Sequence, residues 1–405
     1  MSSHTLRSGA PWYLALVAFA VGTDDLVIAG LLPAIARDLD IGVAAAGQAV
    51  TVFSITYAVA APVLAVATAR LPRRALLLTG LALFACVNLA TALVPGYASL
   101  LVMRVVAALI AAVLTPVAFS MAARLVAPEH TGRAVGTVAA GLTVSLFLGV
   151  PIGSLLGSLF GWRATFLAVA LFTGAVLAIA ASRLPALDGA PEAGLRHQLG
   201  SLGRPAILTC VLGTVMGASG GFMVYTYIAP LTRDLTGAGG VALAPLIAVV
   251  GAAGAVGTMV CGRATDRWGA DRVLLVSFAG MIATSLTLAA LGYLGGGAVP
   301  VWTLAAVLAL WGFAAWGFAA PMSARLLGLA GEEGTEALAL NTGGLYVGTA
   351  VAGALGGVVV SSQGGAGVAA TATAIGLLAF VAMALSVRRF PTSGQVGTVR
   401  EDTLS

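Results

Sequence analysis

Twelve apolar runs, each about 20 residues or longer and parted by short polar turns, decide what this chain can fold into. They lie near 12–33, 44–67, 75–94, 97–122, 134–159, 164–184, 206–231, 243–261, 273–294, 300–322, 337–361 and 366–387. Wound as a helix rising about 1.5 Å per residue, such a run matches the ~30 Å hydrocarbon core of a bilayer. Composition points the same way. Charged residues make up 9 % of the 405 residues and apolar ones 60 %, against roughly 25 % and 45–50 % in soluble domains. The expectation is an all-α membrane protein with twelve transmembrane helices. The first run exceeds the roughly 7–15 residues of a signal-peptide core, so it reads as a span.

The charges set the topology. All 20 basic residues are Arg. Without Lys there is no Walker A site, no protein-kinase site and no Schiff base for pyridoxal phosphate. With both ends inside, 16 Arg fall in cytoplasmic segments; Arg37, Arg163 and Arg233 lie outside, and Arg104 lies within a span. That asymmetry predicts a multi-pass protein of a bacterial cell (inner) membrane with both termini cytoplasmic. Cys86, Cys210 and Cys261 each stand alone in an apolar stretch, so no disulfide or metal site is expected. His4, His130 and His197 sit in polar segments, away from membrane depth. The high isoelectric point comes from topology arginines and gives no reason to expect nucleic acid.

A polar segment at 185–205, holding Pro185, Asp188, Pro191, Glu192, Arg196, His197 and Arg204, parts six spans from six. The expected organisation is an N-terminal half at 1–184, a cytoplasmic linker at 185–205, a C-terminal half at 206–387 and a tail at 388–405. The halves echo one another. Pro33 followed by Arg37-Asp38-Leu39 after span 1 returns as Pro230 followed by Arg233-Asp234-Leu235 after span 7. Arg70-Leu-Pro-Arg73-Arg74 after span 2 returns as Arg267-Trp-Gly-Ala-Asp271-Arg272 after span 8. Duplicated six-span halves are the plan of a secondary transporter, with its substrate site at mid-membrane between them.

Three ionisable residues are expected inside spans: Asp24, Asp25 and Arg104. Each costs about 2.5–3.5 kcal/mol to insert at a helix centre, so each calls for a partner, a cavity or a task. Asp25 lies about 12 Å inward from Pro33, and Arg104 about 10 Å inward from Tyr97. The two are therefore at similar depth on opposite-running helices. Asp24 and Asp25, being consecutive, point about 100° apart on a helix. One acid can face a cavity while the other faces Arg104. Phe53, Tyr57, Asn88, Phe222, Tyr225, Asn341 and Tyr346 are polar or aromatic at membrane depth and are candidate cavity lining. In span 10, Trp311, Phe313, Trp316 and Phe318 are weaker candidates, some of them expected to face lipid.

Gly262-Arg-Ala-Thr-Asp266-Arg267-Trp-Gly269-Ala-Asp-Arg272 resembles the loop signature of the major facilitator superfamily. Gly149-Val-Pro151-Ile-Gly153, with Gly157 and Gly161-Trp162-Arg163, is similar to the span 5 signature of its antiporters. Gly22-Thr23-Asp24-Asp25-Leu26 with Gly30-Leu31-Leu32-Pro33 resembles the twelve-span drug:proton antiporters of the chloramphenicol-resistance, arabinose-efflux and purine-efflux branch. That branch usually has Glu where Asp25 stands, and an Asp-Arg in the loop after span 2, where Ala69-Arg70-Leu-Pro-Arg73-Arg74 stands. The resemblance implies the superfamily's fold, with spans 1 and 4 side by side on the cavity wall. It implies proton coupling by Asp25, Asp24 and Arg104. Gating is implied for Gly149, Pro151 and Gly153 and for Gly262, Asp266, Arg267 and Arg272.

The expected function is proton-coupled export of lipophilic small molecules, chloramphenicol-type or multidrug. Efflux of a sugar, purine or other metabolite shares every motif and stays open. A membrane-embedded enzyme or receptor is the distant alternative, since no His-Glu-Xaa-Xaa-His occurs. No cofactor is expected beyond the proton gradient. The expected partners are substrate, protons and membrane lipid, with the protein a monomer.

Overall fold

The computed structural model describes residues 11–127, 130–189, 200–239, 242–295 and 297–392. His4, His197 and most of the expected tail lie outside these residues, as does the core of the linker with Pro191, Glu192 and Arg196. Spans 1 to 6 are Pro11–Asp38, Val43–Thr68, Arg73–Ala92, Tyr97–Arg124, Thr131–Phe160 and Trp162–Arg183. Span 7 is Pro205–Thr226, continued after a break at Tyr227 by a short helix, Ile228–Thr236. Spans 8, 9 and 10 are Leu243–Trp268, Ala270–Leu294 and Val301–Ala330.

The last helix, Gly334–Arg389, runs for 56 residues, or about 84 Å at 1.5 Å per residue. No bilayer core accommodates that in one pass. The chain turns back at Gly364, whose φ of 68° lies in the left-handed region open to glycine. The limbs 334–363 and 365–389 are thus spans 11 and 12. Asp234, from the short helix after span 7, holds the turn: its Oδ2 accepts the Gly365 N–H at 2.7 Å. The repeat-related Asp38 does the equivalent work between spans 5 and 6. Its Oδ2 accepts from Trp162 Nε1 at 3.1 Å and pairs with the Arg163 guanidinium, just after Gly161 at φ 86°. The duplicated Arg-Asp-Leu motif is therefore a pair of hairpin clasps, one per half.

Span 5 departs from the regular α-helix. Pro151 has no N–H, and its ring crowds the carbonyl four residues back. Ser145–Gly149 accordingly widens into a π turn. A stripe of small residues lets span 5 lie directly on span 1. A Cβ on Gly141 would stand 2.1 Å from the Ala15 carbonyl oxygen, and one on Gly149 2.1 Å from Thr23 Oγ1. One on Gly153 would meet Val27 at 2.6 Å, and one on Gly157 would meet Leu31 at 2.2 Å. Gly149 and Gly153 were expected in the gate between the halves. They are placed instead inside the N-terminal half.

The face bearing the start of span 1 and the end of span 12, the terminal face, is strapped in the same way in each half. After span 6, the chain folds back so that the Arg73 N–H donates to Leu187 O (2.8 Å) and Arg124 donates to Asp188 O (2.7 Å). After span 12, Arg325 donates to Phe390 O at 2.9 Å and to Ser386 Oγ at 3.1 Å. It also pairs with Asp271, whose other oxygen accepts the Thr392 N–H at 3.0 Å. Arg325 is completely buried. It lies at the terminal-face end of span 10, past the expected end of that span at residue 322. Arg73 is buried, and Arg74 donates to Ala181 O of span 6. Besides their share in the arginine asymmetry, these two positions fasten helices together.

The contacts tying the two halves lie between mid-depth and the opposite, far face. Tyr227 and Gly353 of the C-terminal half, joined by a 2.6 Å hydrogen bond, pack on Gly47 and Thr51 of span 2. Ile247 of span 8 reaches Gly30, and Gly251 lies against Leu146 and Phe147 of span 5. Towards the terminal face, span 8 turns to its own half instead, Gly254 meeting Trp316 and Gly257 meeting Phe313. The molecule is therefore closed at the far face. A cleft of about 730 Å³ remains there, walled by Pro33, Arg37 and Gly42 on one side and Thr232, Arg233 and Gly239 on the other.

Candidate functional site

The expected intramembrane charges meet at mid-depth. Arg104 of span 4 reaches Asp24 of span 1, Nη1 to Oδ2, at 2.9 Å, and each side chain is 1 % exposed. The guanidinium also lies 4.3 Å from the centre of the Phe53 ring, an arrangement that attracts a cation to the ring face. A charge-assisted bond against an aromatic floor offsets part of the penalty of burying two ions, although Asp24 Oδ1 and Arg104 Nε and Nη2 have no hydrogen-bond partner among the described residues. Asp24, Arg104 and Phe53 form a closed unit within the N-terminal half. Phe53 was expected as cavity lining, but it is buried beneath the arginine.

Asp25 points elsewhere, as the helical twist requires. It is half-buried, and its Oδ2 accepts a hydrogen bond from the Tyr346 hydroxyl at 3.1 Å. Tyr346 belongs to span 11, so this bond crosses between the halves. Its ring stacks on Tyr57 of span 2, with centroids 3.8 Å apart and planes 21° apart. The remaining C-terminal wall is aromatic. Trp316 lies 5.4 Å from Tyr225, 6.0 Å from Phe222 and 5.8 Å from Trp311, centre to centre. A small cavity beside it is lined by Gly217, Gly221, Phe222, Ala315, Trp316 and Leu345.

The other expected lining residues divide. Asn341 accepts a bond from Thr214 at 2.6 Å and ties span 11 to span 7. Asn88 does not reach the site: it is buried in span 3, and its amide donates to Phe84 O of the same helix at 3.0 Å. Span 3 packs on spans 4 and 6, away from the cavity wall. In the loop after span 8, Asp266, Arg267 and Arg272 are exposed. The acid of that loop bound to an arginine is Asp271, on Arg325. Trp316, one of the four weaker aromatic candidates of span 10, belongs to the cavity wall. Its sequence neighbourhood holds no signal that separates it from the lipid-facing Trp302, which is 74 % exposed. Among the described residues, no cluster of His, Cys, Asp and Glu could hold a metal ion.

Two linked six-span bundles with buried acids on the wall between them define a membrane transporter. The sequence comparisons agree. The family model of the Major Facilitator Superfamily matches residues 14–330, and the chain belongs to that family. It is a transporter, not an enzyme. It is 31 % identical to the uncharacterized MFS-type transporter YbcL of Bacillus subtilis, over 87 % of this chain and 88 % of that one. It is 38 % identical to a chloramphenicol resistance protein of Streptomyces lividans, over 64 % of this chain and 67 % of that one. A chloramphenicol efflux pump of Mycobacterium tuberculosis is 34 % identical over 71 % of this chain and 73 % of its own length. Among solved structures, a D-xylose-proton symporter matches with a TM-score of 0.74 at 17 % identity, covering 92 % of this chain and 95 % of its own. A bacterial homolog of the human lysosomal transporter Spinster, inward-facing and occupied, matches with a TM-score of 0.73 at 17 % identity. It covers 96 % of this chain and 98 % of its own. Identities this low speak to the fold alone.

Proposed function

We propose that the protein is a proton-coupled antiporter exporting lipophilic small molecules, with chloramphenicol-type antibiotics the first substrates to try. The observation that carries this is the division of labour between adjacent acids. Arg104 is engaged by Asp24, which leaves Asp25 on the cavity wall with only a phenol bonded to it. Desolvation favours the neutral acid, while the nearby guanidinium favours the carboxylate. A carboxyl held between those influences can exchange a proton as its surroundings change. The aromatic wall around Trp316 suits a lipophilic ligand. The chloramphenicol resistance and chloramphenicol efflux relatives support the substrate class.

In this reading the termini are cytoplasmic, the membrane is a bacterial cell membrane, and the far-face closure makes this the inward-facing form. The distribution of arginines supports the orientation. Asp25 takes a proton from outside as drug leaves, and releases it inside before drug returns. One proton crossing ~100 mV supplies about 2.3 kcal/mol. That sustains a roughly 50-fold gradient of a neutral substrate, since about 1.36 kcal/mol is tenfold. The protein works as a monomer without a cofactor.

Cells expressing the protein are expected to tolerate higher chloramphenicol, and equally expressed Asp25→Asn is expected not to protect. If Asp25→Asn exports at the wild-type rate, the coupling assignment is wrong. If wild type protects against nothing in a broad drug panel, export of a metabolite by the same machinery takes its place.

A further inference from the structure

Tyr346 does more than line the cavity. It places a ring on Tyr57 and a hydroxyl on Asp25, which are the contacts an aromatic, hydroxyl-bearing ligand would make. We propose that Tyr346 is a built-in occupant of the substrate subsite, and that its bond to Asp25 holds the empty carrier closed at the far face. The inference rests on the antiport reading for its substrate half, while its conformational half stands on geometry. Tyr346 belongs to the C-terminal half and Asp25 to the N-terminal half. Their bond lies at the edge of the region where the halves touch, in line with the contacts of Tyr227 on Gly47 and Gly353 on Thr51 nearer the far face.

Two events break this bond. A proton on Asp25 removes the charge that makes its oxygen a strong acceptor. A substrate that stacks on Tyr57 and offers its own hydroxyl or amide N–H to Asp25 displaces the phenol. Either event frees the halves to separate at the far face. With neither, the bond keeps the unprotonated, unloaded carrier from opening there. That is the condition an antiporter needs to avoid dissipating the proton gradient. The subsite thus selects an aromatic ring bearing a neutral hydrogen-bond donor. The titratable and charged groups around Asp25 are Asp24 and Arg104, bonded to one another, and the phenols of Tyr57, Tyr225 and Tyr346.

The test reads the far face directly. Gly42 and Gly239 line opposite walls of its cleft, and a Cβ at either meets nothing within 4 Å. Spin labels at Gly42→Cys and Gly239→Cys, in a Cys86→Ala background, report the separation of the halves in reconstituted full-length protein. Without drug at pH 8, Tyr346→Phe keeps the ring stack and loses the hydroxyl. It is expected to raise the far-face-open population roughly 10- to 100-fold, the worth of a hydrogen bond to a charged group. It is also expected to blunt the opening that acidification produces in the parent. In an Asp25→Asn background the same substitution should add no further shift, because the two residues act through one bond. A merely structural Tyr346 would shift both backgrounds alike.

An unchanged distance distribution and pH response in Tyr346→Phe, or an equal shift in both backgrounds, overturns the proposal. Tyr346→Ala empties the subsite and is expected to bind chloramphenicol more tightly than wild type. Weaker or equal binding overturns the stand-in role. If wild type moves no protons in response to any drug, the antiport reading fails. The distance measurement still decides whether the latch exists.

Discussion

Asp24 and Asp25 follow one another on span 1 yet are bonded to opposite halves of the molecule, the first to Arg104 of its own half and the second to Tyr346 of the other. The roughly 100° between consecutive helical positions produces this split. One acid is committed to structure, and the other is left on the moving boundary.

Replacing Asp24 alone strands a buried guanidinium. Asp24→Leu is expected to destabilise the protein by about 3–5 kcal/mol, the usual effect of removing one partner of a buried pair. Asp24→Leu with Arg104→Met is expected to recover most of that loss, since no lone charge remains. Thermal unfolding in detergent, followed by loss of the monodisperse peak on gel filtration, measures both. Equal stability of the single and double variants would contradict the assignment.

The second buried pair, Asp271 with Arg325, also fastens the chain after span 12 through Phe390 and Thr392. Asp271→Leu is expected to cost about 3–5 kcal/mol for the same reason. It should also release the segment from Phe390 onward, so that limited proteolysis cuts there faster. Asp266→Leu, altering an exposed acid of the same loop, should leave the cleavage rate unchanged.

The contact of span 5 with span 1 depends on missing side chains. Gly141→Ala drives a methyl into the Ala15 backbone carbonyl, which has no flexible end to move aside. A loss of about 1–3 kcal/mol or more is expected. Gly136→Ala on the same helix meets nothing within 4 Å and should be neutral or slightly stabilising. The ratio of folded protein recovered for the two variants checks the contrast.

Much of this was legible in the sequence. Span length and arginine placement predict the twelve passes, and the Arg-Asp-Leu repeat at 37–39 and 233–235 betrays the duplication. The angular separation of Asp24 from Asp25 follows from helical geometry alone. Contacts between distant segments did not show. Tyr346 and Asp25 are 321 residues apart, and nothing local marks the tyrosine as their meeting point. Arg325 reads as one more topology arginine, because hydropathy fades before the helix ends. Its role depends on Asp271, 54 residues earlier, arriving at the same place. The break at 362–365 between the last two runs was legible, but not that Asp234, 131 residues earlier, would clasp it.

The far-face cleft carries a consequence of its own. Arg37 and Arg233 occupy equivalent places in the two repeats and stand on opposite walls of one cavity. Closing that face gathers two like charges, whose repulsion resists closure. Dissolved salt screens such exposed groups beyond a Debye length of about 8–10 Å at ordinary ionic strength. The balance between closed and open forms of this face is therefore tied to the ionic strength of the medium that bathes it. Dilute surroundings favour opening of this face, and saline ones favour its closure.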